Sequence, residues 1–353
     1  MAATSFSIAT FNAQNLLHSG VYFSGRNDKP YTKEFYQEKL DWIVNVLHEG
    51  GPGLVGMQEL FSREAFASIA EKAGYAFSYA PDIESNLNIT KDATGHLQAQ
   101  GPYNGLLSRY PILSSARIKD FPSEVSGIQI EDNDGDSEPL RLSVTSFQRP
   151  VIQVDVELKE GVVATVFVAH LKSKRPIYLA SEKNMQSDPI IQACGRIRSL
   201  IVRAAESVAL RQLVVTVMKN SSKPVILFGD LNDDLPSVTT QTIAGEEPFR
   251  YLSPAKKKEA WDVFLYSVHD IEEQESYRDV SYTNIYNGRY ELLDHIFVSQ
   301  EFYHRNPEYI ATVCNARIFN DHLRDERRVV NAGSYPSPKS DHGIPVTEIK
   351  WKE

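Results

Sequence analysis

The chain has 353 residues, 42% hydrophobic and 24% charged, the balance of an ordinary soluble globular protein with a large core. Lys and Arg number 37 against 46 Asp and Glu, a formal charge of −9, so a strongly basic nucleic-acid footprint is absent, although metal ions and a local basic patch can reverse the field inside a cleft. Cys194 and Cys314 are too few for a disulfide framework and too far apart for a metal motif, and no stretch approaches the roughly 20 apolar residues that span a bilayer.

The first segment, "MAATSFSIATFNAQNLL", lacks a basic region followed by a long apolar run, so no secretory signal is read there. "FSIATFN" (6–12) and "GLVGMQEL" (53–60) read as buried strands. Between them "KEFYQEKLDWIVNVLHEG" has helical spacing, with Phe35, Leu40, Ile43, Val44 and Leu47 on one stripe. "EAFASIAEKAG" (64–74) reads as a helix stopped at Gly74. The strands "NGLLSRYPI", "VIQVDVELK", "VVATVFVAHLK" and "PVILFGDLN" follow, the alternation in "IQVDVEL" suggesting antiparallel pairing with one face covered. A long helix is predicted inside 189–219, where Ile197, Leu200, Ile201, Ala204 and Val208 share a face and Arg196, Arg198, Arg203 and Arg211 read as a solvated one. Asn287-Gly288, between "SYTNIY" and "RYELLDHIFV", is a hairpin signal because both residues tolerate positive φ. Segments 85–101 and 131–139 read as polar surface loops, and "SDHGIPVTEIK" as a final strand. With no repeat and no linker, residues 1–353 read as one domain.

Several of these strands end alike, closing an apolar run on a chemically capable residue: Asn12, Gln58 and Glu59, His170, Asp230 and Asn232, and Asp294, with Asp341 and His342 entering the last strand. One strand-end Asp or Asn is a turn; a series that includes Glu and His is not explained by turn preference. Gathered at one rim, they supply carboxylates, amides and imidazoles, an inventory that suits Mg²⁺ or Mn²⁺ and not structural zinc.

"TFNAQNL", "QE", "NGLLSR", "HLKS", "GDLN", "LDHIFVS" and "SDH" occur in an order that resembles the endonuclease/exonuclease/phosphatase superfamily, the DNase I-like metal-dependent phosphoesterases, over about Phe6 to Val346. The resemblance implies an α+β fold, a four-layer αββα sandwich of two mainly antiparallel sheets with the active site at one sheet edge. It implies Glu59 as central metal ligand, with Asn12 and Asp341 completing or supporting the site. By the same resemblance Asp230 would orient or deprotonate the attacking water, and Asn232 would hold a phosphate oxygen. His342 would contact the scissile phosphate or act as general base, Asp294 would fix its tautomer and raise its basicity, and His170 would stabilise developing charge or help the leaving group. Arg109 is weighed as a partner for a carboxylate near the site; Lys172, Lys174 and Arg175 are weighed between a phosphate contact and a solvated loop.

"LLDHI" replaces the Trp-Cys-Asp-Arg run usual in inositol-phosphate phosphatases of the superfamily, and no exposed apolar hairpin suggests a membrane-acting lipase. "HLKSKRP" before a long helix is similar to bacterial members described as nucleases. The expectation is therefore a Mg²⁺- or Mn²⁺-dependent phosphodiesterase, an endonuclease on DNA or RNA, cytoplasmic, with no membrane and no protein partner. The alternatives are an enzyme for a small phosphorylated molecule and a catalytically silent binding scaffold.

Overall fold

The computed structural model describes residues 4–23, 29–85, 87–125, 129–130, 140–141, 144–245, 262–273, 281–286, 289–323 and 337–352. Twelve strands form two six-stranded sheets. The first contains β1 (Ser5–Leu16), β2 (Leu54–Leu60), β3 (Phe77–Tyr79) and β4 (Tyr103–Ser108). The second contains β5 (Ile112–Asp120), β6 (Ser146–Lys159), β7 (Val162–His170), β8 (Val225–Asp230), β9 (Tyr266–Ser267) and β10 (Asp294–Val298). The chain then returns to the first sheet with β11 (Ala311–Phe319) and β12 (Ile344–Trp351). The strand orders are β11-β12-β1-β2-β4-β3 and β9-β10-β8-β7-β6-β5. Each sheet has one parallel pair at its centre, β1 with β2 and β7 with β8, flanked by antiparallel pairs.

The central strands are apolar almost throughout because both of their faces are covered, whereas the edge strand β5 is largely exposed. Successive side chains point to opposite faces, so alternate residues enter different cores. Ile8, Val166, Val168, Ile226 and Phe228 lie between the sheets with Leu54, Val154 and Ile296. Ala9, Phe11, Val55 and Met57 face outward, under helices α1 (Lys33–Gly50) and α2 (Arg63–Lys72). Phe167, Ala169, Leu227 and Phe297 face the opposite way, under α3 (Pro189–Met218) and α4 (Val238–Ala244). The layers thus run helix, sheet, sheet, helix, the expected sandwich.

Helix ends follow their sequence signals. Thr32 caps α1 by accepting the Phe35 N–H, Gly51 closes it at φ 62°, and Asp188 caps α3 ahead of Pro189. None of the described helices is long and apolar enough to cross a membrane, α3 included. Between the sheets, Gly56 of β2 faces Phe228 of β8; a Cβ at Gly56 would lie 2.5 Å from the Phe228 Cβ.

Several expectations change. The polar segment 85–101 holds strands Ile89–Lys91 and Leu97–Ala99, which join Val21–Phe23 in a small sheet. Arg203 and Arg211 are not solvated: Arg203 pairs with Asp233 at 3.1 Å, and Arg211 donates to the Ile243 and Ala244 carbonyls that end α4. The predicted hairpin forms on both sides of its turn, Tyr286 pairing with Arg289, while Asn287, Gly288 and the segment 131–139 lie outside the described residues.

Candidate active site

Register builds the site. In the second sheet His170 on β7 pairs with Asp230 on β8, and Asp230 pairs with Asp294 on β10, so three chemically capable residues stand in one row across neighbouring strands. Paired residues share a sheet face, and this row therefore aims its side chains together. In the first sheet Asn12 pairs with Gln58, one residue before Glu59. The two rims meet through the Asn12 Nδ2, which donates to Asp230 Oδ2 at 2.9 Å.

The turns that leave these strands hold the groups in place. Gln14, Asn15, Glu59 and Asn232 all have left-handed backbone, with φ of 48°, 55°, 61° and 56°. Such strain in non-glycine residues persists where the surroundings impose it, and it collects at functional sites. The Asn15 N–H donates to Glu59 Oε2 at 2.8 Å, fixing a half-buried carboxylate, and the Gln14 N–H donates to Asn12 Oδ1 at 2.9 Å. On the other rim the Asn232 N–H donates to Asp230 Oδ1 at 3.0 Å, and Asn232 Nδ2 donates to the Leu171 carbonyl at 3.0 Å.

His342 reaches the row from the approach to β12. Its Nδ1 lies 2.7 Å from Asp294 Oδ2 and its Nε2 lies 4.0 Å from Asp230 Oδ2. Burial alone would lower the basicity of His342, but the Asp294 carboxylate, with Asp230 and Asp341, holds it well above the ordinary histidine range. His170 is the opposite case. Burial, and then the Arg149 guanidinium, push it well below that range, so it is a neutral imidazole with Nε2 3.3 Å from Asp230 Oδ2 and Nδ1 without a protein partner. Burial raises Asp230 to about 7, reinforced by Asp294 and opposed by His342 and the Asn12 hydrogen bond. A carboxylate poised near neutrality beside an imidazolium can exchange a proton under working conditions.

The structure brings Asn12, Asp230, Asn232, His170, Asp294 and His342 together, with Glu59 on the adjoining turn. Asp341 is exposed, and its charge is felt by His342 and by Lys39 of α1. Gln58 turns away and pairs with Thr10 at 3.2 Å. Arg109 lies at the far end of β4, stacked over Tyr75, and not at the site. Two of the cations after His170 are occupied: Lys172 Nζ donates to Ser173 and to the Arg175 carbonyl, and Lys174 meets Asp233, Asp234 and Glu291, whereas the Arg175 side chain is exposed. His295 is buried, its Nε2 2.8 Å from the Asp233 carbonyl oxygen, as its place on the other face of β10 suggested.

Four participants were given no role by the sequence: Arg149 and Lys39 lie outside every motif, while Asn104 and Ser340 open "NGLLSR" and "SDH" without being singled out. Arg149, on β6, donates to the Leu171 carbonyl at 2.8 Å and keeps an unpartnered Nε. Asn104, the second residue of β4, has a buried Oδ1 without a partner among the described residues. Ser340 ties the approach to β12 to the end of β1, donating to the Asn12 carbonyl at 2.8 Å while accepting from the His342 N–H. Lys39 is the fourth, a buried lysine of α1 that burial lowers to about 8 against the opposing charges of Asp341 and Glu59.

Among the described residues, Asp230, Asp294 and His342 bring metal-ligand atoms within 4.8 Å of one another. Two of those atoms are already committed, Asp294 Oδ2 to His342 and Asp230 Oδ2 to Asn12. Oxygen-preferring ions are better matched by the Glu59 side, where a carboxylate is pinned through one oxygen and the other is left over. The residues therefore fit a hard divalent ion.

Sandwich and rim together define a DNase I-like α+β protein. More particularly, the chain belongs to the Endonuclease/Exonuclease/phosphatase family, whose model matches residues 9–342; the family consists of divalent-metal-dependent hydrolytic phosphoesterases. No curated protein matches the chain. Among solved structures it is similar to an endonuclease/exonuclease/phosphatase family protein from Bacteroides thetaiotaomicron, with 15% identity, 99% of this chain and 96% of that one covered, and a TM-score of 0.52. A mannosyl-6-phosphatase from the same organism shares 15% identity over 98% of this chain and all of its own, with a TM-score of 0.51. D. rerio TDP2 complexed with single-strand DNA product shares 13% identity, with 98% and 99% covered and a TM-score of 0.50. At these identities the likeness is one of fold.

Proposed function

We propose that the protein is a Mg²⁺- or Mn²⁺-dependent phosphodiesterase that hydrolyses nucleic acid by water attack at phosphorus. The observation that carries the hydrolytic reading is the Asp230 carboxylate, buried between the Asn12 amide and the His170 imidazole with a proton affinity near neutrality. In this reading Asp230 takes the proton of the attacking water. Asn12 orients that carboxylate. The His342 imidazolium, held by Asp294, donates to a non-bridging phosphate oxygen, and the second hydrogen of Asn232 Nδ2, the one not given to the Leu171 carbonyl, supports another. Neutral His170 and the cationic Arg149 meet charge that develops on the phosphoryl group. Glu59, with Asp341, holds the divalent ion, which when bound neutralises phosphate charge and acidifies coordinated water.

Nucleic acid is favoured by the hairpin Asn284–Glu291, where Asn284 bridges to His342 and Tyr286 and Tyr290 are 63% and 39% exposed. Exposed aromatic rings beside a phosphate site are stacking surfaces for bases. A second reading, a small phosphorylated molecule, is favoured by Lys174, which its acidic partners Asp233, Asp234 and Glu291 withdraw from any phosphate track after His170. A gel assay on circular plasmid, linear duplex, single-stranded DNA and RNA, each with Mg²⁺, Mn²⁺ or EDTA, separates the two. Metal-dependent cleavage abolished by EDTA is expected. Silence on all four substrates with turnover of a small phosphoester selects the second reading.

A further inference from the structure

The sequence places Ile197, Leu200, Ile201, Ala204 and Val208 on one face of α3, the face expected to pack inward. The structure turns the helix the other way. Its buried positions include Gly195, Ser199, Arg203, Glu206 and Leu210. Glu206 accepts the Gln148 and Lys172 N–H groups at 2.8 and 2.7 Å, and Arg203 pairs with Asp233 and donates to the Lys172 carbonyl. These anchors fix the rotation of the helix, because buried charged groups must keep their partners. The apolar stripe therefore faces outward. Ile190, Ile197 and Leu200 are 69%, 55% and 40% exposed, Cys194 is exposed, and Ile201, Ala204 and Val208 are half-buried. Among the described residues, five of the eleven exposed large hydrophobic side chains lie between Leu179 and Leu200. Such a concentration marks an interaction surface, where scattered apolar residues would not.

We propose that this stripe docks a second copy of the chain, the two α3 helices packing along each other about a twofold axis. Ile190, Cys194, Ile197, Ile201, Ala204 and Val208 follow one another at alternating steps of four and three residues. That repeat keeps one side of a helix against another helix, here over about 27 Å. In an antiparallel pair centred at the level of Ser199, Ile190 meets Val208 of the second copy, Cys194 meets Ala204, and Ile197 meets Ile201. Small residues face small ones and isoleucine faces isoleucine, so the surface is complementary to itself, as a twofold interface requires. The position of α3 leaves room for this. Glu206, in mid-helix, is level with Lys172, two residues beyond the end of β7, so the first half of α3 extends past the strand ends. The chain itself lines only the inner side of that half: Ser199 Oγ donates to the Arg175 carbonyl, the Ile177 N–H donates to the Gly195 carbonyl, and Arg198 pairs with Glu182. Pairing covers the outer side of each projecting half with the second half of the other helix. A bilayer is a poorer occupant, because Cys194 and Ala204 stand where an interfacial helix carries large side chains, and a chain of charge −9 is repelled by an anionic surface.

The test is the mass of the intact protein in solution, by light scattering after size exclusion and by sedimentation equilibrium, at micromolar concentration. Reductant is present so that the exposed Cys194 and Cys314 form no disulfide. Wild type is expected to be a dimer. Ile197→Glu, which puts an unpaired charge in the middle of the stripe, should raise the dissociation constant about a hundredfold or more. Ile197→Ser repeats the test, with a rise of about tenfold, if circular dichroism shows that the glutamate variant does not fold. Leu113→Glu, at an exposed position of the edge strand β5, should leave the dimer intact. A dimer that both Ile197 variants leave unchanged, or that Leu113→Glu disrupts as strongly, would overturn the proposal. So would a monomeric wild type, and binding of that monomer to vesicles of phosphatidylcholine and phosphatidylserine would assign the stripe to a bilayer instead.

Discussion

Asn12 and Asp230, 218 positions apart in sequence, link the two sheets of the sandwich through a buried hydrogen bond of 2.9 Å from the amide nitrogen to Oδ2. The amide is itself oriented by the Gln14 N–H on its oxygen, so the nitrogen has one direction to point. This bond favours ionised Asp230 and fixes which oxygen faces His170. Asn12→Ala is expected to lower kcat by about 10–100-fold, a partial loss of general-base positioning, with a smaller change in KM. A loss confined to KM would show that Asn12 serves substrate binding and leaves Asp230 unaffected.

Asp230 links chemistry to stability. Its folded value of about 7 lies above the roughly 3.9 of an unfolded aspartate, so the folded protein prefers the neutral carboxyl. The favourable contribution of that preference is complete below about pH 4 and is lost as pH rises through about 7. Asp230→Asn should therefore melt higher than wild type at about pH 8 in EDTA, by on the order of a few kcal/mol, and lose the advantage near pH 4. Loss of the attraction to His342 subtracts from the gain. The same variant should lose 10²–10⁴-fold in kcat, the usual contribution of a positioned general base. Lower stability across the whole pH range would contradict the assignment of a costly buried charge.

Asp294 acts through His342. Burial depresses the imidazole, and Asp294 reverses that by both its charge and its 2.7 Å contact with Nδ1. In Asp294→Asn the proton leaves His342 at lower pH, and the alkaline limb of the kcat/KM profile should shift toward acid. Activity at neutral pH should fall by about 10²-fold or more. An unshifted profile with reduced kcat would mean that His342 does not act as the imidazolium.

The strand-end residues of the site were legible because hydrophobic runs that stop at Glu59, His170, Asp230 and Asp294 carry both parts of the signal, a buried strand and a polar residue with nothing local to explain it. Lys39 and Arg149 gave no such signal. Lys39 is a single charge within an amphipathic helix, where a lysine ordinarily lies on the solvated side, and only the packing of α1 shows that it is buried. Arg149 begins a strand whose motif value lies in its alternation. Its role depends on β6 lying beside β7 in the sheet order. Arg203 was read as solvated because its partner, Asp233, belongs to the turn after Asp230, a contact made only by the folded chain. The edge strand β11 was missed because "ATVCNARIF" lacks clean alternation; it forms by pairing with β12.

Gly56 tests whether the spacing of the sheets positions the site. It lies three residues before Glu59 on β2 and faces Phe228, two residues before Asp230 on β8. A methyl group there would stand 2.5 Å from the Phe228 Cβ and 2.7 Å from its Cγ, inside any tolerable contact, and both strands are central in their sheets. Relief requires the sheets to part at the point where one carries the metal carboxylate and the other the water-activating one. Gly56→Ala should cost about 1–3 kcal/mol in stability, as overpacked cores do. It should also lower kcat by about tenfold or more, because a displacement of a fraction of an ångström between catalytic groups is felt in the rate. Thermal melts and steady-state kinetics measure the two effects separately. A destabilised variant with wild-type kcat would show that β2 and β8 move as one body and that the distance between Glu59 and Asp230 is set elsewhere, most directly by the Asn12 bridge.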